Sequence, residues 1–284
     1  MVGNERISCV ESPMAYLIHP TAIVDPECEI GDGVEIGPGC VLRGRIRIGA
    51  GTKLIASVQM SGPVEIGENC AFYPFSCVGF PPQDFKFKLG DATAGVRIGS
   101  GTILRESATI HAASKAENPT IVGDRVYMMV SSHVGHDARV GNNVILANSA
   151  LLAGHSQVFD NAIMSGNTAI HQFNRLGRLG FISGNTCSAV DVPPFCVMAS
   201  RNTLNGINVV GMRRAGIPRD QITLVREAYR SCFRTNMMRK QLIAELERRG
   251  ADCPPILEMA EFCATAKRSI AHGDTRLPEE DSVE

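Results

Sequence analysis

VGDRVYMMVSSHVGHDARVGNNVILANSALLAGHSQVFDNAIMSGNTAIHQFNRLGRLGFI, residues 122–182, decides the fold. Counting in sixes from Val122 meets Met128, Val134, Val140, Leu146, Leu152, Val158, Met164, Ile170, Leu176 and Ile182, all apolar. The same count from Ile18 meets Val24, Ile30, Ile36, Leu42, Ile48, Leu54, Met60, Ile66, Phe72 and Val78, again all apolar, with Gly31, Gly37, Gly49, Gly67 and Gly79 directly after. In a chain 44% hydrophobic, twenty-two apolar residues at twenty-two positions arise by chance with a probability on the order of ten to the minus eight. A period of six belongs neither to a helix nor to an ordinary strand. It suits a short flat strand and a corner, repeated three times to close a triangular coil of about 18 residues. The apolar residue points inward, glycine helps the chain turn where a side chain would crowd, and stacked coils share backbone hydrogen bonds at about 4.8 Å.

Outward from that core, the run Ile98, Leu104, Ile110 joins the two long runs, giving a little over eight coils in all. Residues 80–97 shift the phase by two and must loop out; residues 112–120 are polar and bulge without losing phase. Excursions of this kind from a rigid scaffold tend to carry function. The repeat ends at DVPPF after Ser188. From Pro218 the pattern turns helical, with Ile222, Val225, Tyr229 and Phe233 on one face, and proline suits a helix start. A second helix is expected over about 238–249, ending at Gly250, and a third over about 255–271. The domain plan is a flexible tail over 1–16, a prism over 17–200, a helical C-terminal domain over 201–272, and a disordered tail over 273–284.

Composition narrows the function classes. Charged residues make up 20% and the net charge is −1, without the basic excess of a nucleic-acid binder. Ten cysteines show no CxxC pair; Cys28, Cys40 and Cys70 read as small buried hydrophobes, and all as reduced thiols of a cytoplasmic protein. No stretch approaches the roughly 18–20 apolar residues of a membrane span, so stable membrane insertion is not expected. The N-terminus carries acidic residues and no apolar segment of a secretion signal.

Period arithmetic places the chemistry. With Val122 as zero of an 18-residue coil, His136, His155 and His171 fall at positions 14, 15 and 13 of successive coils, and His133 at position 11. Distant stretches of chain thus bring imidazoles to one edge. A histidine row can ligate zinc, or it can supply a general base with polar substrate contacts. Asp137, beside His136, either orients it or is a plain corner residue, and spacing alone does not decide.

The motifs HPTAIVDP (19–26), QDFKF (83–87), LRESATIH (104–111), HVGHD (133–137), LLAGH (151–155), IHQF (170–173), DVPPF (191–195) and GINVVGMRRAGI (206–217) resemble, in order, those of the bacterial UDP-N-acetylglucosamine O-acyltransferase family. The resemblance covers about residues 17–270. It implies an all-β left-handed parallel β-helix followed by a small α-helical domain, assembled as a homotrimer with sites between neighbouring subunits. The implied reaction moves a 3-hydroxyacyl chain from acyl carrier protein to the sugar 3-hydroxyl of UDP-N-acetylglucosamine, the first step of lipid A synthesis, with no metal and no cofactor. It makes His136 the general base with Asp137 beside it, and aims the Gly154 N–H at the developing oxyanion. It gives His133, His155, His171 and Gln172 contacts to the nucleotide sugar or acyl donor, and Asp84 a contact to the sugar. Lys86 would meet the phosphopantetheine or carrier protein, Asn208 the donor arm and Arg214 the UDP phosphates; Gly184, at a position that can limit the acyl groove, would leave room for a longer chain, or is simply a tight corner. The chain departs from the family pattern at Val210 and Ala215, at Asn174–Arg175 after HQF, and at Ser183 and Asn185 around Gly184.

Three alternatives make different predictions. A related β-helix acyltransferase would act on another nucleotide amino sugar, on oxygen or on nitrogen. A γ-type carbonic anhydrase also stacks histidines on this fold, but uses a pair five residues apart, whereas His133 and His136 are three apart. A β-helix without chemistry would have no use for the histidine row.

Overall fold

The computed structural model describes residues 18–235 and 237–274; the tail expected over 1–16 and most of that expected over 273–284 lie outside them. Strands of two to four residues wind from Ile23–Val24 to Cys187–Ser188 and assemble into three parallel faces. Face 1 runs from Ile23–Val24 to Cys187–Ser188, face 2 from Glu29–Ile30 to Arg175–Leu176, and face 3 starts at Glu35–Ile36. Ile145 pairs with Ile163 and Ile163 with Phe181, a step of 18 residues. The apolar row from Ile36 to Ile182 is at most 5% exposed at every position of the count. A second buried row of small residues lies between its members, including Cys40, Thr52, Cys70, Ala108, Ser132, Ala150 and Ser156. Cys40 and Cys70 are buried there, while Cys28 is half-exposed near the open first coil.

The corners correct the reading of the glycines. Of the five that follow the first apolar run, only Gly79 has a positive φ. Gly37 is glycine because the next coil is too close: a Cβ there would lie 1.8 Å from the Ile55 carbonyl oxygen. The left-handed residue of each corner comes later and is commonly not glycine: Arg125, Ser131, Asp137, Asn143, Ser149, His155, Asn161, Asn167, Phe173, Leu179 and Asn185 all have φ between 52° and 67°. Asn and Asp tolerate this region better than other side chains.

Insertions appear as jumps in register. Ile66 pairs with Ile98 and Val78 with Ile110. The strands Cys77–Phe80 and Val96–Ile98 confine the first excursion to residues 81–95, and the strand Thr120–Val122 confines the second to 112–119.

Face 3 continues through Cys196–Ser200, the antiparallel Thr203–Ile207 and the final strand His272–Gly273. Gly273 pairs with Leu204, so the chain is still ordered where the disordered tail was expected to begin. Among the described residues, four α-helices follow the hairpin: α1 (Val209–Arg214), α2 (Arg219–Ala228), α3 (Arg239–Gly250) and α4 (Pro254–Ala264). Helix α1 was not foreseen, α2 ends in a π turn over Tyr229–Phe233, and α4 stops well short of residue 271 because Thr265 caps it. Two arginines fasten this domain to the prism. Arg175 pairs with Asp191 at 2.7 Å and donates to the Phe262 carbonyl and Thr265 hydroxyl; Arg178 grips Glu258. Arg175, a departure from the family pattern, therefore works as a clamp. Asn174, its neighbour, is buried at 1% exposure.

Candidate active site

Where face 1 turns into face 2, stacked corners present His136 and Asp137, then Gly154 and His155, then Gln172 and Phe173. His136 Nδ1 lies 2.6 Å from Asp137 Oδ2. His155 Nε2 lies 3.5 Å from the same oxygen, and the two imidazoles meet edge-on with centroids 5.2 Å apart. Phe173 stacks beneath His155 at 4.7 Å and 8°. Asp137 is thus no plain corner residue. The second excursion holds it: Ser114 N–H donates to its carboxylate, while its own N–H donates to Thr120 Oγ1. Burial pushes the Asp137 carboxyl up, but the His136, Ser114 and His155 contacts outweigh this and leave it below the ordinary value. A carboxylate that stays ionised beside Nδ1 fixes the imidazole's orientation and stabilises the imidazolium.

His136, Asp137 and His155 offer ligand atoms within 4.8 Å of one another. Their geometry suits a hydrogen bond better than a shared metal. Two ligands at 2.0–2.1 Å from a tetrahedral zinc stand roughly 3.3 Å apart, and the His136–Asp137 contact is only 2.6 Å.

Gly154 sits directly under the imidazole. A Cβ there would lie 2.6 Å from His136 Nε2, so only glycine leaves that nitrogen clear. The Gly154 N–H has no acceptor among the described residues. An imidazole nitrogen and a free backbone N–H therefore face one space, an arrangement that suits acyl transfer.

That space is a cleft of about 530 Å³ on the face-1 side, lined by His111, His133, His136, Gly154, His171 and Gln172 among others. His133 Nδ1 lies 2.7 Å from Thr109 Oγ1, and His111 meets the His133 ring edge-on at 5.0 Å. Burial, with His111 and His136 nearby, pushes the His133 pKa down to about 4, so it is a neutral polar contact at pH 7. His155 lies on the other side of the ridge, in a second cleft on face 2 with Asp137. Gly184 packs on Gly166, where a Cβ would make only an ordinary 3.5 Å contact. The fold does not demand glycine there.

Other expected residues lie apart within the single subunit. Asp84 and Lys86 belong to the outward excursion 81–95, with the Lys86 N–H donating to Asp84 Oδ1. Arg214 is exposed at the end of α1. Asn208 caps that helix: its amide donates to the Leu179 carbonyl and accepts from the Gly211 N–H, so both ends are engaged inside the subunit. Sequence reading missed His111, Gln83 and Arg201 of the cleft, and Thr109, Ser114 and Thr120, which hold ring and carboxylate. His111 closes LRESATIH in the first run after the phase shift, so counting on across the jump would have found it.

A curated acyl-[acyl-carrier-protein]–UDP-N-acetylglucosamine O-acyltransferase from Thermodesulfovibrio yellowstonii is 43% identical over 255 residues, 89% of this chain and 98% of that protein. The chain belongs to the UDP-N-acetylglucosamine O-acyltransferase family. Within the family, an enzyme of the same name from Rhizobium johnstonii is 34% identical over 91% of this chain and 95% of its own. The crystal structure of the UDP-N-acetylglucosamine acyltransferase of Francisella novicida superposes with a TM-score of 0.87 at 32% identity, covering 91% of this chain and 95% of that one. That of Moraxella catarrhalis superposes at 0.86 with 33% identity, covering 90% and 100%. The family model described as UDP N-acetylglucosamine O-acyltransferase, domain 2, matches residues 191–271. The chain is accordingly an acyltransferase with the family's β-helix and C-terminal helices. No helix among the described residues is long and apolar enough to cross a membrane.

Proposed function

We propose that the protein transfers a 3-hydroxyacyl chain from acyl carrier protein to the 3-hydroxyl of UDP-N-acetylglucosamine, the first step of lipid A synthesis, in the cytoplasm. The observation that carries the mechanism is the 2.6 Å His136–Asp137 contact with Nε2 left free over Gly154. His136 Nε2 takes the sugar hydroxyl proton as that oxygen attacks the thioester carbonyl. Asp137 stabilises the imidazolium at Nδ1, and the Gly154 N–H stabilises the tetrahedral oxyanion. The intermediate then collapses, the carbon–sulfur bond breaks, and the imidazolium returns its proton to the departing thiolate. A thioester is already activated, so this chemistry calls for no metal or other cofactor. His133, His171 and Gln172 orient the sugar, and His155 holds the far side of Asp137. Gly184 leaves the acyl groove open, and Asn208 serves through α1, which carries Arg214.

The active assembly in this reading is a homotrimer. The outward row of face 3 is apolar from Ala71 through Ile103, Tyr127, Ile145 and Ile163 to Phe181, and face 1 offers Leu151 and Ala169. The outward row of face 2 holds Glu29, Arg47, Glu65, Arg97, Ile121 and Arg139, five of the six charged, which suits solvent. Joining unlike faces of a triangular prism closes a ring of three. Phe85 and Leu89, 110% and 94% exposed, would then carry Asp84 and Lys86 into the neighbour's cleft.

Purified protein should acylate UDP-N-acetylglucosamine from one member of a ladder of acyl carrier protein thioesters, and in preference to its 3-amino analogue. No transfer from any thioester, or transfer only to the amine, overturns the proposal. Sedimentation should give three subunits, and a monomer of full activity would refute the shared site.

A further inference from the structure

Beyond the histidine ridge, on face 2, lies a second cleft of about 870 Å³. Its floor is the outward row Arg139, Gln157 and Arg175 with Phe159. One wall is the excursion at Lys115–Pro119, the other the segment Thr265–Arg268 that follows α4. Lys115 stands on the first wall, Arg139 on the floor, Lys267 and Arg268 on the second wall, all exposed. None of these four cations forms an ion pair among the described residues. Arg175 is spent on Asp191, and the cleft's carboxylates are Glu117 and Asp137, the latter engaged by the two histidines. Elsewhere on face 2 the outward arginines are paired, Arg47 with Glu29 and Arg97 with Glu65. Of the outward arginines on the face-2 strands, Arg139 is the one without a carboxylate partner among the described residues.

This charge leads to the chemistry. The Arg268 guanidinium lies 5.1 Å from the centre of the Phe173 ring, Phe173 stacks on His155, and His155 touches Asp137. Phe159 and Phe173, 38% and 44% exposed, offer the cleft an apolar surface between the cations.

We propose that this cleft is where the acidic face of the acyl-bearing carrier protein docks. The inference rests on the acyltransferase reading above and names the surface that receives its donor. Cations spread over two walls and a floor, around an open apolar patch, match carboxylates distributed along a helix rather than one small anion. The cleft also lies on the charged face that the proposed ring leaves in solvent, and it shares Asp137 and His155 with the reacting ridge. A carrier seated there delivers its thioester arm across the corner toward His136 and Gly154, while the sugar enters from face 1.

The test compares two acyl donors on the trimer: the carrier protein thioester and the same acyl chain on free pantetheine. In the triple variant K115E/R139E/K267E, the KM for the carrier thioester should rise about tenfold or more and lose its salt dependence. The kcat/KM for acyl-pantetheine and the KM for UDP-N-acetylglucosamine should stay within about twofold. Unchanged carrier KM, an equal loss with both donors, or a rise in the sugar KM instead would each overturn the proposal. Binding of fluorescently labelled acyl carrier protein, read by anisotropy, separates the two readings. Wild-type protein that binds the carrier through these cations but transfers nothing to the sugar defeats the function and leaves the dock standing. Active protein whose carrier binding ignores them defeats the dock alone.

Discussion

The coils before the first excursion and those after the second share one interior and differ in their corners. Both bury an apolar residue every sixth position. At the corner where face 1 meets face 2, the early coils place Asp25, Arg43 and Gly44, tied by a 2.9 Å ion pair and a backbone hydrogen bond. The later coils place His136–Asp137, Gly154–His155 and Gln172–Phe173 there. A prism whose core is indifferent to its outer edge can carry chemistry on some coils and simple solvated charge on others. The register jumps at 81–95 and 112–119 mark the change, and the second supplies the Ser114 N–H that fixes Asp137.

The sharpest break between the halves should come from His136→Ala against Arg43→Ala. The first should cut kcat by about 100- to 10,000-fold with an unchanged Tm; the second should leave both where they are. Equal effects would end the division of labour. Next is the clamp: Arg175→Leu strands the 1% exposed Asp191, whose carboxyl burial already pushes up against the pull of Arg175. Urea unfolding should show a loss of about 3–5 kcal/mol, largest for the C-terminal domain.

Glycines give a subtler contrast. Gly37→Ala in the early coils drives a Cβ onto backbone and should cost about 3 kcal/mol, whereas Gly154→Ala meets the His136 ring and should cost about a hundredfold in kcat with little change in Tm. Gly184→Ala should fold normally and shorten the preferred acyl chain. A smaller effect is acid sensitivity. His133 resists protonation down to about pH 4 while the unfolded chain accepts it near 6.5, so stability is full above pH 6.5 and falls as pH drops toward 4. The loss is at most about 3 kcal/mol, and Asp137, held low, adds its share only below the ordinary carboxylate range. His133→Gln should flatten a plot of urea midpoint between pH 7 and 4. Smallest of all, Arg47→Ala on the early face-2 ladder should not move Tm measurably, since exposed pairs contribute little.

Much of the site was legible because the period converts sequence number into position. His136 and Gly154 share position 14 of their coils and meet in space. His155 shares position 15 with Asp137 and Phe173; it touches the carboxylate of the first and stacks on the ring of the second. Where the period broke, legibility failed. His111 lies beyond the phase shift, Ser114 and Thr120 lie in and beside an excursion, and Arg201 lies in a turn past the last coil. The helical segment was located, but α1 and the final strand were not, because six or fewer residues carry too little pattern to declare themselves.

By itself the sequence determined the prism, its pitch and the alignment of histidines along one edge. Those follow from local chemistry repeated at a fixed interval: one apolar residue to bury and one corner to turn. Only the tertiary structure decided that Asp137 is held ionised, that Gly154 is empty so that Nε2 stays clear, that Arg175 clamps the C-terminal domain, and that four cations stand around one cleft. Each depends on the detailed contacts of side chains and backbone brought together from separate stretches of chain, which periodicity places only to within a corner of a coil.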